Sequence, residues 1–175
     1  MKIVILNGSP RPRGNTEIMS EEFARGAREA GNDVERIDLR TLKISGCLGC
    51  RYCYSHGGEC VQKDDMGVVT DAISTAEMVV FASPIYWFDI TAQLKTVIDR
   101  MYSRGSVGFN FSKTALLLNS GADNVYDAAV AQYKAMTSYL KWQDMGIVTA
   151  PDLKEKGAVK DSPAMEEAYR LGLSL

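Results

Sequence analysis

The chain alternates short apolar runs with longer stretches whose apolar residues recur every three or four positions. Ile3–Leu6, Met78–Ala82, Lys113–Asn119 and Met145–Thr149 read as strands. The first two are unbroken apolar runs without polar alternation, the pattern of strands buried on both faces of a parallel sheet. Asp33–Leu39 alternates imperfectly and reads as a fifth strand with one exposed face, at a sheet edge. Between these runs lie helical patterns. Thr16–Ala30 carries Ile18, Met19, Phe23, Ala24 and Ala27 on one side, with Gly31 as a stop signal. Asp65–Ala76, Thr91–Tyr102, Asn124–Trp142 and Ser162–Leu173 follow. Asn124–Trp142 is expected to turn Val125, Ala128, Ala129, Tyr133, Met136 and Leu140 inward.

Strands alternating with helices predict an α/β fold, a parallel sheet covered on both faces. Five strands fit a doubly wound, flavodoxin-like order 2-1-3-4-5, which puts a ligand at the switch point beyond strands one and three. The loops after those strands, Gly8–Thr16 and Ser83–Phe88, are the most unusual in the chain. Ser120–Ala122, after the fourth strand, can reach the same crevice. One segment resists the pattern: Arg40–Asp65 holds all four cysteines and the one histidine. So long an excursion in a compact domain is usually functional.

Composition narrows the field. With 175 residues, 46% of them hydrophobic and 24% charged, the chain has enough apolar surface for one globular domain with a full core. Its net charge of −2 gives no basic footprint for nucleic acid. No apolar run is long enough for a membrane span, and the first is too short for a secretory signal, so a cytoplasmic location is expected. Four crowded cysteines would be an odd disulfide framework in a reducing compartment, which points to metal or redox chemistry.

The loop after the first strand has the makings of an anion site. A helix N-terminus presents backbone N–H groups and a favourable dipole. Ser9, Asn15 and Thr16 add neutral donors, and Arg11 and Arg13 charged ones. The loop is neither G-x-x-x-x-G-K-[ST] nor G-x-G-x-x-G, and a plain strand-to-helix turn is the alternative. In the loop after the third strand Tyr86, Trp87 and Phe88 are consecutive aromatics. Flat rings beside a phosphate site suit a flat heterocycle joined to that phosphate.

These blocks carry a resemblance. GSPRPRGNT, the C-x-x-C-x-x-C loop ending in ECVQKDDM, and SPIYWFDITAQLKTVIDR resemble the NAD(P)H-dependent FMN reductase group of flavodoxin-like proteins, which includes the iron–sulfur flavoproteins. The resemblance runs from Met1 to about Ser120, with the C-terminal third matching weakly; one FMN-binding domain over 1–175 is expected, with a cysteine-rich excursion at about 40–65. The resemblance implies FMN, with Ser9, Arg11, Asn15 and Thr16 around the phosphate; Arg13, at a position that varies in such loops, is a lesser candidate beside them. Pro84, Ile85, Tyr86, Trp87 and Phe88 would lie along the isoalloxazine, with Ser120 and Gly121 flanking it. NAD(P)H would be co-substrate, the acceptor a flavin, quinone, nitro compound or metal ion, and the assembly a homodimer or homotetramer. No side chain is expected as acid or base, because the flavin carries the chemistry.

Cys47, Cys50, Cys53 and Cys60 can wrap a [4Fe-4S] cluster, which takes four thiolates from such compact runs. A tetrahedral zinc site and free or reversibly oxidised thiols are the rivals. A cluster would relay single electrons to a partner such as ferredoxin. Two other functional readings stand beside the reductase: a flavodoxin-like carrier without NAD(P)H activity, and a zinc-stabilised interaction domain.

Overall fold

The computed structural model describes all 175 residues. Five parallel strands form the sheet: β1 (Lys2–Asn7), β2 (Asp33–Asp38), β3 (Met78–Tyr86), β5 (Lys113–Asn119) and β6 (Gln143–Ala150). Their spatial order is β2-β1-β3-β5-β6. The two-residue β4 (Asp89–Ile90) folds back antiparallel onto the end of β3 and lies off this path. Without β4 the order is 2-1-3-4-5, as the apolar runs predict. The helices are α1 (Asn15–Glu29), α2 (a single turn, Tyr52–Ser55), α3 (Met66–Ser74), α4 (Ala92–Arg100), α5 (Asp127–Leu140) and α6 (Ala164–Leu173).

Strand side chains alternate between two cores, as the period of a strand requires. Val4, Leu6, Val79, Phe81, Leu116 and Leu118 face α3, α4 and α5. Ile3, Ile5, Met78, Val80, Ala115 and Leu117 face α1 and α6. The helices α1 and α6 approach unusually closely at two glycines. A Cβ on Gly26 would lie 2.1 Å from the Tyr169 carbonyl oxygen, and one on Gly172 2.1 Å from that of Phe23. Only glycine permits that approach. No helix is long and apolar enough to cross a membrane.

Three local expectations are corrected. The loop Ser83–Phe88 is mostly strand, since β3 runs on to Tyr86 and only Trp87 and Phe88 make the turn. Helix α5 is shorter than its apolar pattern: Val125 precedes it and Ala128 is exposed. It stops where Lys141 adopts a left-handed φ of 57° and Trp142 turns back to bond the Thr137 carbonyl at 2.9 Å. The fifth parallel strand begins two residues early, at Gln143, and its pairing with β5 is irregular between Thr114 and Leu116.

Candidate functional site

The site begins with glycine at the end of β1. Gly8 donates its N–H to the Ala82 carbonyl at 2.8 Å, tying the first loop to β3. A Cβ there would meet Leu94 Cβ at 2.7 Å and Thr91 Oγ1 at 2.8 Å. Thr91 braces the same point: its hydroxyl donates to the Gly8 carbonyl at 2.8 Å, and its N–H donates to Ser83 Oγ at 3.0 Å. It is also the N-cap of α4, accepting from the Leu94 N–H. Asn7 is fully buried and donates to Asp38, while its Oδ1 accepts the Ser9 N–H at 3.2 Å. The loops after β1 and β3 are therefore one braced unit.

Beside that unit is a polar cavity of about 170 Å³. Ser9, Arg11, Gly14 and Asn15 line one side, Pro84 to Tyr86 another, and Asn119 to Gly121 a third. Thr16 stands at its floor, buried, with its hydroxyl donating to Asn119 Oδ1 at 2.5 Å. Ser120 is buried too, and its Oγ pairs with the Tyr126 hydroxyl at 2.6 Å. A mainly apolar recess of about 230 Å³ adjoins, lined by Trp87, Phe88, Ala122 and Val125. Ile85, Ser120 and Gly121 belong to both hollows, so the two lie side by side.

Trp87 and Phe88 both have positive φ, 51° and 69°, and join Ile85–Tyr86 to Asp89–Ile90 as a two-residue hairpin loop. Two positive φ values define the turn that normally takes Asn-Gly. Bulky side chains there are strained by roughly 1–3 kcal/mol each. Trp87 is 94% exposed and Phe88 56%. Strain and exposed aromatic surface coincide at the mouth of the recess.

Eleven of the twelve flavin-site residues read from the sequence line the two hollows: Ser9, Arg11, Asn15, Thr16, Pro84, Ile85, Tyr86, Trp87, Phe88, Ser120 and Gly121. Arg13 does not. It takes a left-handed φ of 54° and gives its N–H to Glu17 at 2.7 Å, making the turn into α1. Asn15 lines the cavity, but both ends of its side-chain amide are engaged by the segment after β6. Its Nδ2 donates to the Glu155 carbonyl at 2.9 Å, and its Oδ1 accepts from Gly157 and Val159. That segment contributes Leu153, Lys154 and Lys156 to the lining, three residues the sequence reading missed. The available signal was two lysines just past a strand end on the ligand edge of the sheet.

A larger hollow of about 860 Å³ lies elsewhere, between α4, α5 and the cysteine loop. It lacks the loop amides and the convergent cations of the switch-point cavity, so the smaller hollow is the better candidate for a phosphorylated ligand. All four cysteines line one cavity of about 20 Å³, roughly the room for one water. No three thiol, imidazole or carboxylate side chains gather closely enough to hold a metal ion. The donor set suits a cluster or zinc, but its present spacing fits neither. The cavity is backed by Arg100, which is buried, donates to both Asp64 oxygens at 2.8 and 3.0 Å, and reaches Cys60 Sγ at 3.4 Å. His56 stays apart from the thiols' cavity and stacks on Tyr52 at 3.6 Å.

Comparison with known proteins places this geometry. The family described as NADPH-dependent FMN reductase matches residues 1–153. An iron–sulfur flavoprotein of Archaeoglobus fulgidus is 40% identical over 105 residues, 60% of this chain and 47% of that protein. The chain thus spans about half the length of that relative. An iron–sulfur flavoprotein of Methanosarcina thermophila is 26% identical over 170 residues, 95% of this chain and 86% of the other. Among solved structures, the NAD(P)H:quinone oxidoreductase from Methanothermobacter marburgensis superposes with a TM-score of 0.75 at 19% identity, covering 99% of this chain and 96% of that one. That likeness fixes the fold. With its braced loops and adjoining polar and apolar hollows at the switch point, the chain belongs to the NADPH-dependent FMN reductase family.

Proposed function

We propose that the chain is an FMN-dependent oxidoreductase that takes hydride from NAD(P)H and passes electrons to a small-molecule acceptor. One observation carries the reading: a cationic polar cavity adjoins an aromatic-rimmed recess, with Ile85, Ser120 and Gly121 lining both. That sequence of environments suits a phosphate, a polar chain and a flat ring in turn. FMN, when bound, supplies the hydride and electron chemistry. Arg11 and the backbone N–H groups at the start of α1 would bind its phosphate. Ser120 and Gly121 stand where the two hollows meet and would follow the linking chain. Ile85, Trp87 and Phe88 would hold the ring and exclude water from its edge. The cationic groups lining these hollows are Arg11, Lys154 and Lys156, and no carboxylate or imidazole joins them. In this reading the protein's contribution is binding and orientation, and the flavin carries the chemistry.

The test is anaerobic stopped-flow absorbance of the FMN-loaded chain mixed with NADH or NADPH. Rapid bleaching of the flavin bands is expected with at least one nucleotide. Bleaching by neither would leave a flavodoxin-like carrier. We place the acceptor among flavins, quinones, nitro compounds and metal ions, and the assembly as a dimer or tetramer that covers Trp87.

A second reading concerns Cys47, Cys50, Cys53 and Cys60. The relatives named iron–sulfur flavoproteins favour a cluster on these four thiols, which would relay single electrons to a ferredoxin-like protein. It requires the loop to rearrange, because the thiols are not gathered as the chain stands. Iron and sulfide assays on anaerobically purified protein decide it: about four of each per chain for a [4Fe-4S] cluster, neither for free thiols.

A further inference from the structure

The loop after β1 does not account for the charge of the phosphate cavity. Of the three cations that line it, only Arg11 comes from that loop; Lys154 and Lys156 come from the strap that follows β6. No carboxylate shares the lining, and Glu155, which lies between the two lysines, is not part of it. The strap bends at each end through a left-handed residue, Asp152 at φ 59° and Gly157 at φ 88°. It is also fastened at each end. The Leu153 N–H donates to the Ser120 carbonyl at 2.8 Å. At the other end Asn15 makes three bonds: Nδ2 to the Glu155 carbonyl at 2.9 Å, and Oδ1 from the N–H groups of Gly157 and Val159 at 2.8 and 3.3 Å. An amide used at both of its ends is committed to the strap.

We propose that Lys154 and Lys156 select a phosphorylated flavin over an unphosphorylated one, and that Asn15 is the positioning residue that holds them over the cavity. This rests on the flavin reading above. It shifts Asn15 from a phosphate donor to the latch of a second, cationic wall. Two ammonium groups facing a phosphate dianion form charge-assisted hydrogen bonds, the strong kind, and they have nothing to grip on a flavin that ends in a hydroxyl.

Titration of the cofactor-free chain with FMN and with riboflavin, followed by flavin fluorescence, tests it. K154A/K156A is expected to bind FMN roughly 10- to 100-fold more weakly, with riboflavin affinity unchanged. Both lysines are exposed, so the variant keeps its fold. Asn15→Ala is expected to weaken FMN in the same way, and the triple variant to be no worse than K154A/K156A, because a latch has nothing left to position once the lysines are gone. Lys160→Ala, on the next turn and outside the cavity, serves as the charge control and leaves both affinities unchanged. FMN affinity retained in K154A/K156A, or an equal loss for both flavins, overturns the proposal. A wild-type chain that binds neither flavin overturns the flavin reading itself.

Discussion

At the scale of single residues, the site is built from positions that a fold alone would not choose. Trp87 and Phe88 occupy left-handed backbone positions where Asn-Gly would be relaxed. Replacing them as W87N/F88G should raise the stability of the cofactor-free chain by about 1 kcal/mol or more, read as a higher urea midpoint, while weakening flavin binding. A loss of stability would show that the rings hold the fold rather than a ligand. Gly8 is constrained the other way. Gly8→Ala puts a methyl group against Leu94 and Thr91 and should cost about 1–3 kcal/mol in urea unfolding. Arg100 and Asp64 set an acid limit on the cysteine segment. Hydrogen bonds from Arg100 hold the Asp64 carboxyl down at about 2, against an ordinary 3.8. A depressed carboxylate stabilises the fold above its unfolded value, and that contribution fades as pH falls from about 4 through 2. Asp64→Asn should remove this acid dependence. It should also lower stability at neutral pH by about 3 kcal/mol, since it leaves the buried Arg100 without its counter-charge.

At the scale of elements, the strands and the two principal loops were legible because their signals are local. An apolar run such as Ile3–Leu6 suits only a strand buried on both faces, and Gly8, Pro10 and Gly14 mark the turn that follows it. The strap was not legible. Pro151–Gly157 carries no local motif, and its role comes from Asn15, some 140 positions earlier in the chain. The hairpin at Trp87 was hidden for the opposite reason: its residues contradict the usual chemistry of the turn they make. The cysteines were visible as a motif, but spacing alone could not say how closely their thiols gather. Thr91 joins several of these elements, capping α4 while bonding the Gly8 carbonyl. Thr91→Val removes both roles at similar volume. A loss of about 1–2 kcal/mol in stability is expected, together with faster release of bound flavin measured by dilution.

At the scale of the whole molecule, the sheet order places three loops from separate strands around one cavity, and a cofactor bound there should be part of the structure's stability. FMN at 100 times its Kd should stabilise the fold by about 2.7 kcal/mol, seen as a rise in Tm of several degrees. Riboflavin at the same molar concentration should give a smaller rise if the phosphate carries much of the affinity. The family match ends at residue 153, just before Lys154.

The clasp between Gly26 and Gly172 gives that last segment a mechanical meaning. Helix α1 holds Asn15 at its first residue and Gly26 three turns further on, about 16 Å along its axis. Helix α6, which carries Gly172, follows the strap that Asn15 latches after one short helical turn, Ala158–Asp161. Strap, α6, clasp and α1 therefore form a closed linkage, like a four-bar frame with one joint at Asn15 and the opposite joint at the two glycines. A single methyl group at Gly26 would force α6 outward at 2.1 Å from Tyr169, and the frame would carry that displacement round to Lys154 and Lys156. A substitution on the far side of the molecule can thus detune the grip on a cofactor it never touches.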